Sequence, residues 1–213
     1  MPESFGLYLV LTEPRVGYER CTEAAVEQHV RYVQLRMKNR PREDVVAMAH
    51  RLRAITRGSA TRFIVNDDVT IASEVDADGV HLGQQDLSLA HARTLWPNEG
   101  KIFGLSTHDA LQEREARSIR PDYVGVGPIF ATPTKEKPDP VLGPERASEI
   151  VRASPLTTVA IGGIDANNLP GLLAQGISNF AVVRAVCAAP DPSEAIRALM
   201  ALWRNANAPD SPR

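Results

Sequence analysis

The stretch Tyr123-Val124-Gly125-Val126-Gly127-Pro128-Ile129-Phe130-Ala131-Thr132-Pro133-Thr134-Lys135 carries a run of small and β-branched residues straight into a polar loop. A short run without polar alternation, as here before Gly127, suits a strand covered on both faces, and such strands belong to parallel sheets. Glycine and proline then restrict the loop backbone, so Thr132, Thr134 and Lys135 are held without a helix of their own. Two hydroxyls and an ammonium group at one spot suit a phosphate.

The same pattern recurs in both directions along the chain. Apolar runs at residues 6–11, 32–35, 62–65, 79–82, 102–105, 123–126, 157–161 and 179–183 predict eight strands. Between and after them, helical spacing and start signals predict helices over 19–29, 41–57, 69–75, 88–96, 109–118, 144–152, 168–175 and 193–204. Asn39 and Pro41 mark the start of the second, and Asp191-Pro192 the start of the last. Such alternation implies right-handed crossovers and a parallel sheet, and eight units close naturally into an α/β (β/α)8 TIM barrel. A doubly wound open sheet is the alternative. The 213 residues are read as one catalytic domain over 1–204, with a tail over 205–213, rich in Pro, Asn, Asp and Ser, that is expected to be disordered.

A hydrophobic fraction of 43% and a charged fraction of 23% are those of an ordinary soluble globular protein. The formal charge of -2 gives no general pull toward nucleic acid or anionic lipid, so cations that matter are local and few. No stretch approaches the roughly 18 apolar residues of a membrane span, and residues 1–4 are not a charged region ahead of a signal core, so a cytoplasmic protein is expected. Cys21 and Cys187 stand alone, without metal or redox spacing, and read as reduced structural residues.

In a barrel the βα loops gather at the C-terminal ends of the strands, and function gathers with them. Nearly every predicted exit is polar: Gln34 to Lys38, Asn66-Asp67-Asp68, Gly83 to Asp86, Ser106-Thr107-His108, Thr132 to Lys135, Gly162-Gly163 and Arg184. Gln34, Arg36 and Lys38 alternate, which points an amide and two cations to one side of an extended segment. Arg36, Lys38, Lys135 and Arg184 thus make a mouth suited to a strongly anionic ligand. Asp67 and Asp86, at the ends of neighbouring strands, offer two carboxylates to one hard cation such as Mg2+, which completes its octahedron with water and phosphate oxygens. Gly162-Gly163 and the unit ending in Arg184 suit the phosphate site that many barrels build after strands seven and eight.

These residues resemble the thiamine phosphate synthase family. The resemblance is carried by Gln34-Leu35-Arg36-Met37-Lys38, Asn66-Asp67-Asp68, Gly79-Val80-His81-Leu82-Gly83-Gln84-Gln85-Asp86, Gly104-Leu105-Ser106-Thr107-His108, Gly127 to Phe130 with Thr132-Pro133-Thr134-Lys135, and Ile161-Gly162-Gly163-Ile164. The motifs run in the family's order over essentially the whole chain.

The resemblance implies that Gln34, Leu35, Arg36, Met37 and Lys38, with Asn66, Ser106 and Lys135, hold an aminopyrimidine and its diphosphate. It implies Mg2+ on Asp67 and Asp86, and a thiazole phosphate on Thr132, Pro133, Thr134, Gly163, Val183 and Arg184. The implied reaction is loss of pyrophosphate from hydroxymethylpyrimidine diphosphate and attack of the thiazole nitrogen on the pyrimidine-methyl cation, giving thiamine phosphate. Arg36, Lys38, Ser106 and Lys135 would be the catalytic residues, acting electrostatically. The partners expected are the two small-molecule substrates, with no nucleic acid and no membrane, and the chain is compatible with a homo-oligomer. Two positions depart from the family: Met37 stands where an acid is common, and Arg184 where Ser is common. Arg184 either strengthens the hold on the thiazole phosphate or points elsewhere and leaves the backbone N–H groups to it. Residues 136–140 read as a mobile loop that orders on substrate binding.

Duller roles stand beside these. Asp68 reads as a helix cap, His81 as a satisfied core histidine and His108 as a helix-start residue; Thr132 and Thr134 also fit turn hydroxyls. Two other functions fit the same fold, a thiazole tautomerase without the pyrimidine and metal groups and a non-catalytic sensor of thiazole phosphate or thiamine phosphate.

Overall fold

The computed structural model describes residues 2–97, 99–134 and 139–208. Eight parallel strands close in sequence order into a barrel: β1 (Leu7–Leu11), β2 (Tyr32–Leu35), β3 (Arg62–Asn66), β4 (Gly79–Leu82), β5 (Ile102–Thr107), β6 (Tyr123–Val126), β7 (Thr158–Ala160) and β8 (Phe180–Val182). Helices α1 (Tyr18–Glu27), α2 (Arg42–Thr56), α3 (Val69–Glu74), α4 (Leu89–Leu95), α5 (Ala110–Ile119), α6 (Pro144–Ala153) and α7 (Leu169–Ala174) connect them. After β8 come a short α8 (Arg184–Cys187) and the long α9 (Pro192–Asn207). None of the helices described is long and apolar enough to cross a membrane.

The strands read as continuous apolar runs because each is covered twice. Residues of one parity face the helices: Leu7, Leu9, Val33, Leu35, Phe63, Val65, Val80 and Leu82 belong to the large core between sheet and helix ring. Residues of the other parity fill the barrel, where Tyr8, Tyr32, Ile64, Tyr123, Val159 and Ala181 form a second, smaller core. Large inward rings leave room for nothing opposite Gly104: a Cβ there would lie 2.2 Å from Cζ of Tyr123 and 2.7 Å from Nδ1 of His81. The glycine is therefore a packing requirement of the barrel interior.

Helix starts follow their side chains. Asp68 accepts from the N–H groups of Thr70 and Ile71, Asp109 from Leu111 and Gln112, Ser88 from His91 and Asp191 from Glu194. Three differences from the sequence reading are local. Strand β5 runs on to Thr107, whose hydroxyl donates to the Gly125 carbonyl at 2.8 Å. The turn of helix over Arg184–Cys187 is too short to carry a periodicity and was not expected. Helix α9 continues through Asn207, so the tail expected from Asn205 starts three residues too early. Asn and Ala continue a helix at small cost, and the Asn207 amide donates to the Trp203 carbonyl at 2.8 Å.

Candidate active site

Strand parity decides which exit residues meet. Gln34 and Arg36 from the end of β2, Asn66 from β3, His81 from β4 and Ser106 from β5 all share the inward parity and line one cavity of about 480 Å3 at the C-terminal end of the barrel. Thr132, Pro133, Thr134, Gly163, Val183 and Arg184 form its opposite wall.

Below the pyrimidine side expected from the sequence runs a chain of hydrogen bonds that the sequence reading missed. The buried Gln34 amide donates to the Tyr8 hydroxyl at 2.8 Å, and the Tyr8 and Tyr123 hydroxyls lie 2.7 Å apart. The Tyr123 hydroxyl is 3.0 Å from Nδ1 of His81, whose Nε2 is 2.9 Å from the Ser106 hydroxyl. The Gln84 amide fixes the same turn by donating to the Ser106 carbonyl at 2.6 Å. Burial pushes both phenols above the usual tyrosine range, so they stay protonated. His81 is satisfied as expected, yet it also reaches the cavity wall. The signal for Tyr8 and Tyr123 was their inward parity in strands that are otherwise aliphatic.

The acids and cations meet at the rim. The Lys38 ammonium donates to the Asp67 carboxylate. Asp67 leaves β3 with φ 63°, a left-handed conformation that Asp tolerates better than most residues. Asp86 accepts the Gly83 N–H at 2.7 Å; burial, followed by the hydrogen bond that its protonated form gives to the facing Asp67, pushes its carboxyl up against the pull of that N–H and of Lys38. Burial lowers the Arg36 guanidinium while the Asp67 charge opposes the shift. Among the described residues no cluster of three or more His, Cys, Asp or Glu side chains gathers that could hold a metal. The facing Asp67 and Asp86 carboxylates nevertheless fit Mg2+, which takes one or two carboxylates and draws the rest of its shell from water and phosphate. Asp68 takes no part in this pair; its carboxylate caps α3, as the duller reading expected.

On the opposite wall, Gly163 adopts φ 68°, and a Cβ there would lie 2.7 Å from Cβ of Phe130 and 2.9 Å from the Ala131 carbonyl oxygen. The loops after β6 and β7 thus pack at a distance that only glycine allows. The Thr132 and Thr134 hydroxyls are 3.0 Å apart, and the Thr134 N–H reaches the Thr132 hydroxyl at 3.4 Å, so both serve the turn while lining the cavity. His108 begins the β5–α5 turn and also holds the next loop: Nδ1 donates to the Gly127 carbonyl at 2.6 Å, and Nε2 lies 3.5 Å from the Asp139 carboxylate. Arg184 opens α8 and lines the cavity beside Val183.

Two expected site residues face elsewhere. The Leu35 side chain is buried in the outer core and Met37 packs against that core, so any contact of theirs with a ligand in the cavity would be through the backbone. Lys135 and residues 136–138 of the loop expected to be mobile lie outside the described residues.

The sequence profile of the family described as Thiamine monophosphate synthase matches residues 7–186. The thiamine-phosphate synthase of Gloeobacter violaceus is 44% identical over 186 residues, which cover 87% of this chain and 54% of that protein; the chain spans about half the length of this relative. The thiamine-phosphate synthase of Laribacter hongkongensis is 40% identical over 203 residues, covering 93% of this chain and 95% of that one. Among solved structures, the thiamine phosphate pyrophosphorylase from Pyrococcus furiosus superposes with a TM-score of 0.86 at 30% identity, covering 95% of this chain and 97% of that one.

Proposed function

The chain belongs to the thiamine monophosphate synthase family, and from that premise we propose that the mouth of its barrel condenses 4-amino-2-methyl-5-hydroxymethylpyrimidine diphosphate with a thiazole phosphate, giving thiamine phosphate and pyrophosphate. The observation that carries the reading is one continuous cavity with Gln34, Arg36, Asn66 and Ser106 on one wall and Thr132, Gly163 and Arg184 on the other. Each substrate needs a wall of its own, and the reacting atoms must meet between them.

The bond that breaks joins the pyrimidine methylene carbon to the diphosphate oxygen. Negative charge grows on the departing pyrophosphate, and Arg36, Lys38 and Lys135 are the groups that meet it. Arg36 is partly desolvated, so its charge is worth more to the leaving group than a surface arginine's. Gln34, Asn66 and Ser106 hold the pyrimidine while the thiazole nitrogen attacks the methylene carbon. Arg184 lines the cavity on the wall assigned to the thiazole phosphate, which supports the first of the two roles left open for it, a stronger hold on that phosphate. Asp67 and Asp86 would hold Mg2+, which when bound supplies further positive charge for the diphosphate. Removing one donor of this kind costs about 3 kcal/mol of barrier, on the order of a hundredfold in rate.

The test is release of pyrophosphate and formation of thiamine phosphate from the two purified substrates, first with Mg2+ and then with EDTA. Turnover is expected only with the metal, and Asp86→Asn is expected to lower it on the order of a hundredfold. Equal turnover in EDTA would overturn the metal role. A folded protein that binds thiazole phosphate without turnover would overturn the synthase reading in favour of a tautomerase or sensor, for which the Asp67–Asp86 pair and Lys38 have no evident use.

A further inference from the structure

The hydrogen-bonded chain on the floor of the cavity has a direction, and the Gln34 amide at its start fixes it. An amide nitrogen donates and does not accept. Gln34 therefore gives a hydrogen to Tyr8, and the single Tyr8 hydrogen is left for Tyr123, 2.7 Å away. Tyr123 has then accepted once, and its own hydrogen points to Nδ1 of His81 at 3.0 Å. A ring nitrogen that accepts carries no proton, so the proton of neutral His81 resides on Nε2 and is donated to the Ser106 hydroxyl at 2.9 Å. Ser106 has accepted in turn and keeps its own hydrogen for the cavity that it lines. The tyrosine and histidine rings are held in this relation by stacking, with centroids 5.5 Å apart and planes at 18°, in space that Gly104 leaves open.

We infer that Tyr123 is a positioning residue: by donating to His81 it selects the Nε2–H tautomer and so makes Ser106 a hydrogen-bond donor toward the bound pyrimidine. A donor at that place favours a ring that offers a lone pair, and it disfavours one that offers N–H. Reversing the Gln34 amide would reverse every bond in the chain and would leave Ser106 an acceptor. The tautomer of His81 therefore reports the polarity of the whole chain.

The experiment is 15N NMR of the imidazole nitrogens in the intact protein, with the His81 signals assigned by their loss in His81→Asn. The proposal expects the Nε2–H tautomer in the parent chain. It expects a shift away from that tautomer in Tyr123→Phe, which keeps the ring and deletes only the hydroxyl. The effect on Ser106 rests on the synthase reading: kcat/KM for the pyrimidine diphosphate should fall roughly tenfold in Tyr123→Phe, with KM for the thiazole phosphate unchanged. An Nδ1–H tautomer in the parent would overturn the proposal, and so would a Tyr123→Phe variant that keeps both the tautomer and kcat/KM. The tautomer is read without substrate, so loss of the synthase reading would leave that arm standing.

Discussion

Cys21 on α1 and Cys187 at the end of α8 are both buried and both free thiols. Burial pushes the Cys21 thiol up to about 12, with nearby Cys187 adding to the shift against Arg20, and burial pushes Cys187 up to about 11. At about pH 8 roughly one Cys21 in ten thousand is then thiolate, so iodoacetamide should label the native protein very slowly and the unfolded protein fast. The linkage has a definite sign: the folded state holds both protons more tightly than the unfolded state, so this contribution to stability is complete below about pH 8.5 and declines as pH rises toward the folded values. Urea midpoints measured from about pH 8 to 11 should fall accordingly, and a Cys21→Ser, Cys187→Ser double variant should lose that part of the decline. Residue identity alone carried the reading of these thiols as reduced and structural. The polar exit also carried the assignment of Asp67 to the pair with Asp86 and of Asp68 to the cap of α3, but not the backbone that achieves it: strand parity would send residue 67 outward to the helices, and a left-handed φ of 63° turns it toward Asp86.

At the scale of elements, the N-terminal end of the barrel uses one device twice. The residue before β4, Asp78, accepts the N–H of Phe63 in β3, and the residue before β6, Asp122, accepts the N–H of Phe103 in β5, each at 2.8 Å. These bonds satisfy strand-end donors on the face away from the cavity, where a barrel invests in stability. Asp122→Ala should therefore lower the unfolding free energy by about 1–3 kcal/mol, measured by urea denaturation, with the rate of pyrophosphate release unchanged. A fall in turnover without a fall in stability would contradict this division between the two ends. The eight strands and the connecting helices were legible because period-2 and period-3.6 patterns are local properties. The four-residue α8 was not, since it is shorter than one period of evidence needs. The extra turn at the end of α9 was not either, because Asn and Ala neither stop nor demand a helix.

At the scale of the whole molecule, the cavity is assembled from strands and loops spread across the chain, so a ligand that fills it ties the barrel together and binds only the folded state. Pyrophosphate with Mg2+ at about a hundred times its dissociation constant should raise stability by about 2.7 kcal/mol, read as a rise in Tm. In Asp86→Asn the part of that rise that depends on the metal should vanish, and a rise that persists there would mean that the cation sits elsewhere. The sequence by itself determined the order of elements, the closure of eight βα units, the polar exits and the family, because each follows from short-range pattern or from motifs kept in order. Only the tertiary structure decided that Leu35 and Met37 turn to the outer core, that a left-handed residue brings Asp67 round to the Asp86 expected beside it, and that Tyr8, Tyr123 and His81 join Gln34 to Ser106. Those contacts link strands far apart in the chain across the barrel interior, and which hydroxyl meets which nitrogen depends on closure and register, which no single segment encodes.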